Sequence, residues 1–251
     1  MMGISELDRE RFAALCAEEN SNAEAQGLGI GTYAEKRLHR ILKRWYASDE
    51  AEFEVNVGSF IADIKDGEHI IEIQTGSLRP LLPKLRYYLE NTPYRVTVVH
   101  PIITDKTLVR INDETGELMY RRRSGKHESQ SDVLPELFWI SELFGRHKLS
   151  IRLPMISVEE YRYSERMRYR KEGAYVSELY PRKLLGETVL NGMDDCEIFL
   201  PSGKDSFDSA SFSAFSKLKG RRLYSALNFL CAIGLVEKEA QGRKNLYKIK
   251  K

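Results

Sequence analysis

Ser59-Phe60-Ile61-Ala62-Asp63-Ile64-Lys65-Asp66-Gly67-Glu68-His69-Ile70-Ile71-Glu72-Ile73-Gln74 reads as two strands folded back on each other. Asp-Gly between two β-branched runs is a strong hairpin signal, because a two-residue type I′ turn needs positive φ at both centres. A loop at Asp66-Gly67 predicts that Lys65 faces Glu68, Asp63 faces Ile70 and Ile61 faces Glu72. Directly paired residues share a face, so Asp63, Glu72 and Gln74 project from one side, with the two acids as diagonal neighbours. Adjacent carboxylates repel, and a shared divalent cation is one reason to keep both ionised. Carboxylates at alternate positions are also what an ordinary solvated face shows. Ile61 and Ile70 share this face, however, so it is not simply water-facing.

Outward from the hairpin, Thr32 to about Tyr46 predicts a helix with Ala34, Leu38, Ile41, Leu42 and Trp45 on a 3.6-residue period. Glu35 sits at the edge of that stripe and has two readings that coexist. Thr32-x-x-Glu35 is a capping box, and Glu35 is also placed to contribute to the acidic site. Strands are expected at about 53–57, 60–65 and 68–74, then a helix carrying Leu81, Leu82, Leu85, Tyr88 and Leu89. Tyr94–His100 reads as a buried strand. Residues 102–130 look like an insertion: a hairpin about Asn112–Gly116, then the basic run Arg121-Arg122-Arg123. Residues 132–144 read as a helix and 149–158 as a final strand.

Helix, three-strand meander bearing Asp63-x8-Glu72-Ile73-Gln74, helix, strand resembles the PD-(D/E)XK nuclease superfamily, over about Thr32 to Pro101 and on towards Glu160. The phrase Ala62-Asp63-Ile64…Ile71-Glu72-Ile73-Gln74-Thr75 also looks like an uncharacterised bacterial group within it. The resemblance implies a restriction-endonuclease-like αβββαβ core, α/β in class. It implies Mg²⁺ or Mn²⁺ held by Asp63, Glu72 and the Ile73 carbonyl, with Glu35 assisting through a metal-bound water. Gln74 stands where most members carry lysine; it can orient water but brings no charge. Lys84, on the next helix, is a substitute cation that the sequence places towards solvent.

The C-terminal residues follow a separate pattern. A short helix at 209–215, a turn at Lys217–Gly220, a helix at 221–233 and two strands joined at Gly242-Arg243-Lys244 resemble a winged helix-turn-helix. From Ser216 onward ten Lys or Arg stand against two Glu, a local charge of +8. Lys219, Arg221 and Arg222 begin the expected recognition helix, and Arg243 and Lys244 form the wing tip, the two places where such a module touches duplex DNA. The expected organisation is an N-terminal helix and linker (1–31), a nuclease-like domain (32–158), a charged link (159–181) and a winged-helix domain (182–251). Tyr161, Tyr163 and Tyr169 alternate with Arg162, Arg166, Arg168 and Arg170 in the link. They read as a solvated helix, with a base-stacking surface as the second reading.

Composition sets the limits. Of 251 residues, 30% are charged and 42% apolar, which suits a globular protein with room for two domains. Cys16, Cys196 and Cys231 lack paired spacing, so neither disulfides nor a thiolate zinc site is indicated, which fits a reducing cytoplasm. No signal-peptide core or membrane-length apolar run stands out. The five histidines are scattered without ligand spacing, and a net charge of +2 is too small to argue for nucleic acid by itself. The function expected is that of a Mg²⁺-dependent deoxyribonuclease docked on duplex DNA, away from membranes, with a homodimer left open. The alternatives are an inactive nuclease-fold DNA-binding regulator and a protein-interaction module.

Overall fold

In the computed structural model, the described residues are 4–25, 33–112, 115–125, 127–146, 148–164, 175–241 and 244–250. The chain is mixed α/β and divides into two compact units. One comprises Ala51–Ile102, Ser129–Leu153 and Val189–Lys251; the other comprises Met1–Glu50, Ile103–Glu128 and Pro154–Thr188.

The unit containing the acidic hairpin begins with β1 (Glu52–Val57), β2 (Phe60–Asp66) and β3 (His69–Ile73), paired antiparallel in sequence. Helix α3 (Leu82–Asn91) then carries the chain to β4 (Arg95–Val99), parallel to β3. The first residues of β7 (Leu149–Ser164) lie parallel to β4. Parallel strands joined by a helical crossover are covered on both faces and read as continuous apolar runs. Accordingly Ile70, Ile71, Ile73, Val96, Val98 and Val99 are all buried. Pro83 lies in the first turn of α3, where its missing N–H costs nothing.

The expected helix at 132–144 is instead 3₁₀ at Gln130–Val133, a single α turn α4 (Leu134–Leu137), and 3₁₀ again at Phe138–Leu143. Pro135 sits in the α turn, and the aromatic and β-branched run Phe138-Trp139-Ile140 is a poor helix former. The unit is completed by β9 (Ser206–Asp208), α5 (Ser209–Ser216), α6 (Gly220–Ala232), β10 (Val236–Gln241) and β11 (Lys244–Ile249). These strands form a sheet in the order β10-β11-β9, β9 being a strand that the pattern of the sequence did not reveal. Helix α6 packs on α4 and the following 3₁₀ turn, where Phe144 and Phe229 meet edge to face at 5.1 Å.

In the other unit, α1 (Glu6–Ala25) and α2 (Tyr33–Tyr46) pack together, with Phe12 edge-on to Trp45 at 5.3 Å. The hairpin of β5 (Ile102–Ile111) and β6 (Leu118–Arg123) is a pair of sheet strands rather than an insertion, since β5 continues the order from β7. β8 (Tyr175–Leu190) pairs with β7. The expected helical link at 159–181 is therefore corrected. β7 runs to Ser164, β8 starts at Tyr175, and the expected boundary at 181/182 falls inside β8. Alternation explains this: the charges of the segment satisfy one another across strands. Buried Glu159 accepts from Arg121 and, at 2.8 Å, from Arg182; buried Glu160 meets Lys106 at 3.0 Å and Arg162 at 2.7 Å. Tyr169, Arg166, Arg168 and Arg170 lie outside the described residues, and the side chain of Tyr163 is not described. Among the described residues, no helix is long and apolar enough to cross a membrane.

Candidate functional site

The β2–β3 hairpin turns one residue later than expected. Asp66 pairs with His69, Lys65 with Ile70 and Ile64 with Ile71. The two central residues are therefore Gly67 and Glu68, and only Gly67 has positive φ, at 57°. Positive φ at the first centre alone is the type II′ pattern, which needs one glycine rather than two permissive residues. One step past the last of those pairs, Asp63 comes opposite Glu72 itself instead of Ile70. The same-face relation of the two acids holds, and they stand closer in register than expected.

Local hydrogen bonds then fix each acid. Asp63 Oδ2 accepts the Ile73 amide at 2.8 Å, which ties the side chain of β2 to the backbone of β3. Glu72 is only 2% exposed, and its Oε2 accepts from Lys84 Nζ at 2.5 Å. Its Oε1 is buried and has no hydrogen-bond partner among the described residues. Burial pushes the Glu72 carboxyl up to about 7. The Lys84 charge pulls it back, the Asp63 charge adds to the rise, and the Lys84 and Asp63-amide hydrogen bonds oppose it.

Lys84 corrects the expectation of a solvent-facing side chain. It is 18% exposed and points inward, because α3 presents Lys84 on the same side as the buried Leu85 and Tyr88, following buried Leu81 of the preceding 3₁₀ turn. Tyr88, one turn on, is fully buried, and Lys84 Nζ lies 6.0 Å from its ring centroid. The Tyr88 hydroxyl is raised in pKa by burial first and by the Glu72 charge second. Neither Tyr88 Oη nor Glu72 Oε1, both buried, has a hydrogen-bond partner by geometry among the described residues.

Gln74 does not point its amide nitrogen at the acids. Nε2 donates to the Ser77 carbonyl at 2.6 Å, and its backbone carbonyl meets His100 Nδ1 at 2.7 Å. The loop it steadies is also gripped by Glu136, whose Oε2 accepts from Ser77 Oγ at 2.8 Å and from the Leu78 amide at 3.0 Å. Neither Glu136 nor Tyr88 is among the site residues expected from the sequence. Lys84-x3-Tyr88 beside Leu81 and Leu85 is the spacing that could have placed both on the inward face. His69 lies on the opposite face, as expected, against Thr97 Oγ1 at 2.8 Å.

Glu35 lies on α2, but its side chain and all of Thr32 are outside what is described. Among the described residues no group of three or more His, Cys, Asp or Glu is poised around one point. The donor set on the hairpin, two carboxylates and the Ile73 carbonyl, nevertheless suits a small hard cation. Mg²⁺ is commonly held by one or two carboxylates, with waters and substrate phosphates completing the shell.

Of the basic residues singled out near the C-terminus, Lys219 and Arg221 are exposed at the start of α6. Arg222 is engaged otherwise: its Nη2 donates to Asp132 Oδ1 at 2.9 Å and to the Asp132 carbonyl at 3.0 Å. Arg243 lies outside the described residues, and of Lys244 only the backbone, in β11, is described.

Comparison with known proteins adds a family without an activity. A family model described as Domain of unknown function (DUF8091) matches residues 36–191, which include Asp63, Glu72 and Lys84 and end before α5. Over 148 residues the chain is 31% identical to an uncharacterized protein of Treponema pallidum (strain Nichols), a match covering 57% of each. The chain thus spans little more than half the length of that relative. No solved structure matches.

Proposed function

We propose that this chain, which belongs to the DUF8091 family, is a metal-dependent DNA endonuclease of the restriction-endonuclease-like class with a C-terminal winged-helix module. The observation that carries the reading is the trio Asp63, Glu72 and Lys84, with Lys84 Nζ 2.5 Å from Glu72 Oε2. The element order α2-β1-β2-β3-α3-β4 supports the core assignment. The helix pair α5–α6 followed by the β10–β11 hairpin supports the winged helix.

In this reading Asp63, Glu72 and the Ile73 carbonyl hold Mg²⁺ or Mn²⁺. When bound, the ion would supply Lewis-acid polarisation of the scissile phosphate and lower the pKa of a bound water. The chain's own groups supply the rest. The Ile73 amide holds Asp63 in place, so the carboxylate is oriented before substrate arrives. Lys84 balances the buried charge of Glu72 and brings the cation that Gln74 lacks to the place where phosphate charge must be offset. Gln74 commits its amide nitrogen to the Ser77 loop, leaving its carbonyl oxygen to accept a hydrogen bond from a water. Lys219 and Arg221 contact phosphates of duplex DNA, and Arg243 and Lys244 extend that contact from the wing. Arg222 acts chiefly as a tie to Asp132.

The test is cleavage of supercoiled, linear, branched and single-stranded DNA with Mn²⁺. Wild type is expected to cut at least one form and Glu72→Ala none. If wild type does not exceed the Glu72→Ala background on any of them, the inactive DNA-binding regulator replaces the nuclease.

A further inference from the structure

β6 is an edge strand with an unusual surface. Among the described residues, no strand pairs with the edge of β6 opposite β5. All six of its residues are exposed. Leu118 is 58% exposed, Met119 60% and Tyr120 39%. A long exposed edge bearing adjacent apolar side chains is an open template for another strand, and proteins normally blunt or cover such edges.

The arginines of this strand would ordinarily be the blunting device. Two of them are already neutralised within the chain: Arg121 by Glu159, and Arg123 by Asp105 at 2.9 Å. Arg122 has its guanidinium carbon 5.7 Å from the Tyr120 ring centroid. The charge that could repel an incoming strand is therefore much reduced.

The order of residues identifies the occupant. Glu117-Leu118-Met119-Tyr120-Arg121-Arg122-Arg123 is acidic and apolar in its first half and basic in its second. Two copies of one strand paired antiparallel about a two-fold axis normal to the sheet must keep side chains on matching faces. The residue numbers of each facing pair then sum to an even value. Centring the axis on Tyr120 sets Glu117 opposite Arg123, Leu118 opposite Arg122, Met119 opposite Arg121 and Tyr120 opposite itself. Acid meets base, each remaining arginine lays its stem on an apolar side chain, and no arginine faces another. Moving the axis to Arg121 sets Glu117 opposite Gly125 and Leu118 opposite Ser124, so the acid meets no base and Leu118 loses its arginine stem. An acidic peptide would suit the basic half but would leave Leu118 and Met119 against charge.

We propose that β6 is a homodimer interface, in which two copies of the chain pair antiparallel through residues 117–123 with Tyr120 on the two-fold axis. The inference is independent of the nuclease reading.

Sedimentation equilibrium of the full chain, with crosslinking through introduced cysteines in a Cys231→Ser background that keeps only the buried Cys16 and Cys196, tests it. Directly paired Cα atoms are about 4.5–5.5 Å apart, within the roughly 4.4–6.8 Å that a disulfide spans. Tyr120→Cys is therefore expected to form a covalent dimer under mild oxidation. Leu118→Cys is expected not to, because its copy lies four residues along the partner strand, about 13 Å away. The double variant Leu118→Cys/Arg122→Cys is expected to crosslink again. A monomer at every concentration tested would overturn the proposal, as would equal crosslinking at positions 118 and 120.

Discussion

Replacing Glu72 by glutamine should stabilise the protein, and only at high pH. Burial lifts this carboxyl from 4.5 to about 7 despite the opposing Lys84. The folded state thus holds the proton more tightly than the unfolded state does. This contribution to stability is fully present below pH 4.5 and lost as pH rises through about 7. At about 1.4 kcal/mol per tenfold in affinity, wild type loses about 3 kcal/mol from this group between pH 4.5 and pH 8. Glutamine has the same shape, can still accept from Lys84, and has no proton to lose. Urea denaturation followed by circular dichroism, with EDTA present, should give similar stabilities at pH 4.5. At pH 8 the Glu72→Gln variant should be ahead by about 3 kcal/mol. Parallel stability curves, or a variant weaker than wild type at pH 8, would refute the claim that Glu72 is held ionised at a cost.

Lys84→Met strips the buried carboxylate of its counter-charge, and breaking such a pair typically costs about 3–5 kcal/mol. The same denaturation assay should show the loss at pH 8 and little of it at pH 5, where Glu72 is protonated in either protein. Under the nuclease reading, Gln74→Lys is expected to leave Mn²⁺-dependent cleavage equal or faster in a plasmid assay, since it adds a cation beside the one proposed for Lys84; abolished cleavage would contradict this. Reversing charge at Lys219 and Arg221 should weaken binding to all duplex sequences and flatten its salt dependence in fluorescence anisotropy. Arg222→Glu should instead lower stability by up to about 1 kcal/mol, as expected for a partly exposed ion pair with Asp132. A chain ended at residue 181 cuts β8 and removes the helices that cover Phe144, so it is expected to aggregate or stay unfolded in size-exclusion chromatography.

Local signals proved most legible where one face is apolar and the period is regular. The order from α2 to β4, the helices near 209–216 and 220–232 and the final hairpin all follow from periodicity and turn residues. Parity alone put Asp63 and Glu72 on one face, and it survives the two-residue change in pairing, because such a change preserves sidedness. What could not be read was non-local. The II′ turn depends on which residue of Asp66-Gly67-Glu68 takes the positive φ, and Gly67 suits either arrangement. The segment after Glu159 looks like a solvated helix because its charges are plentiful. Only cross-strand partners such as Arg182 for Glu159 show that those charges are satisfied within a sheet. Lys84 reads as a surface residue for the same reason. A lysine on a helix is normally solvated, and nothing in its neighbours announced a buried acid on β3.

The central claim is that Asp63 and Glu72 form one cation site on the β2–β3 hairpin. Isothermal titration calorimetry of Mn²⁺ into the metal-free protein at pH 8 tests it most directly, with Asp63→Asn and Glu72→Gln alongside. Wild type should bind one ion at this site, and each variant should lose that binding while keeping the wild-type circular dichroism spectrum. Equal Mn²⁺ binding by wild type and both variants would contradict the account.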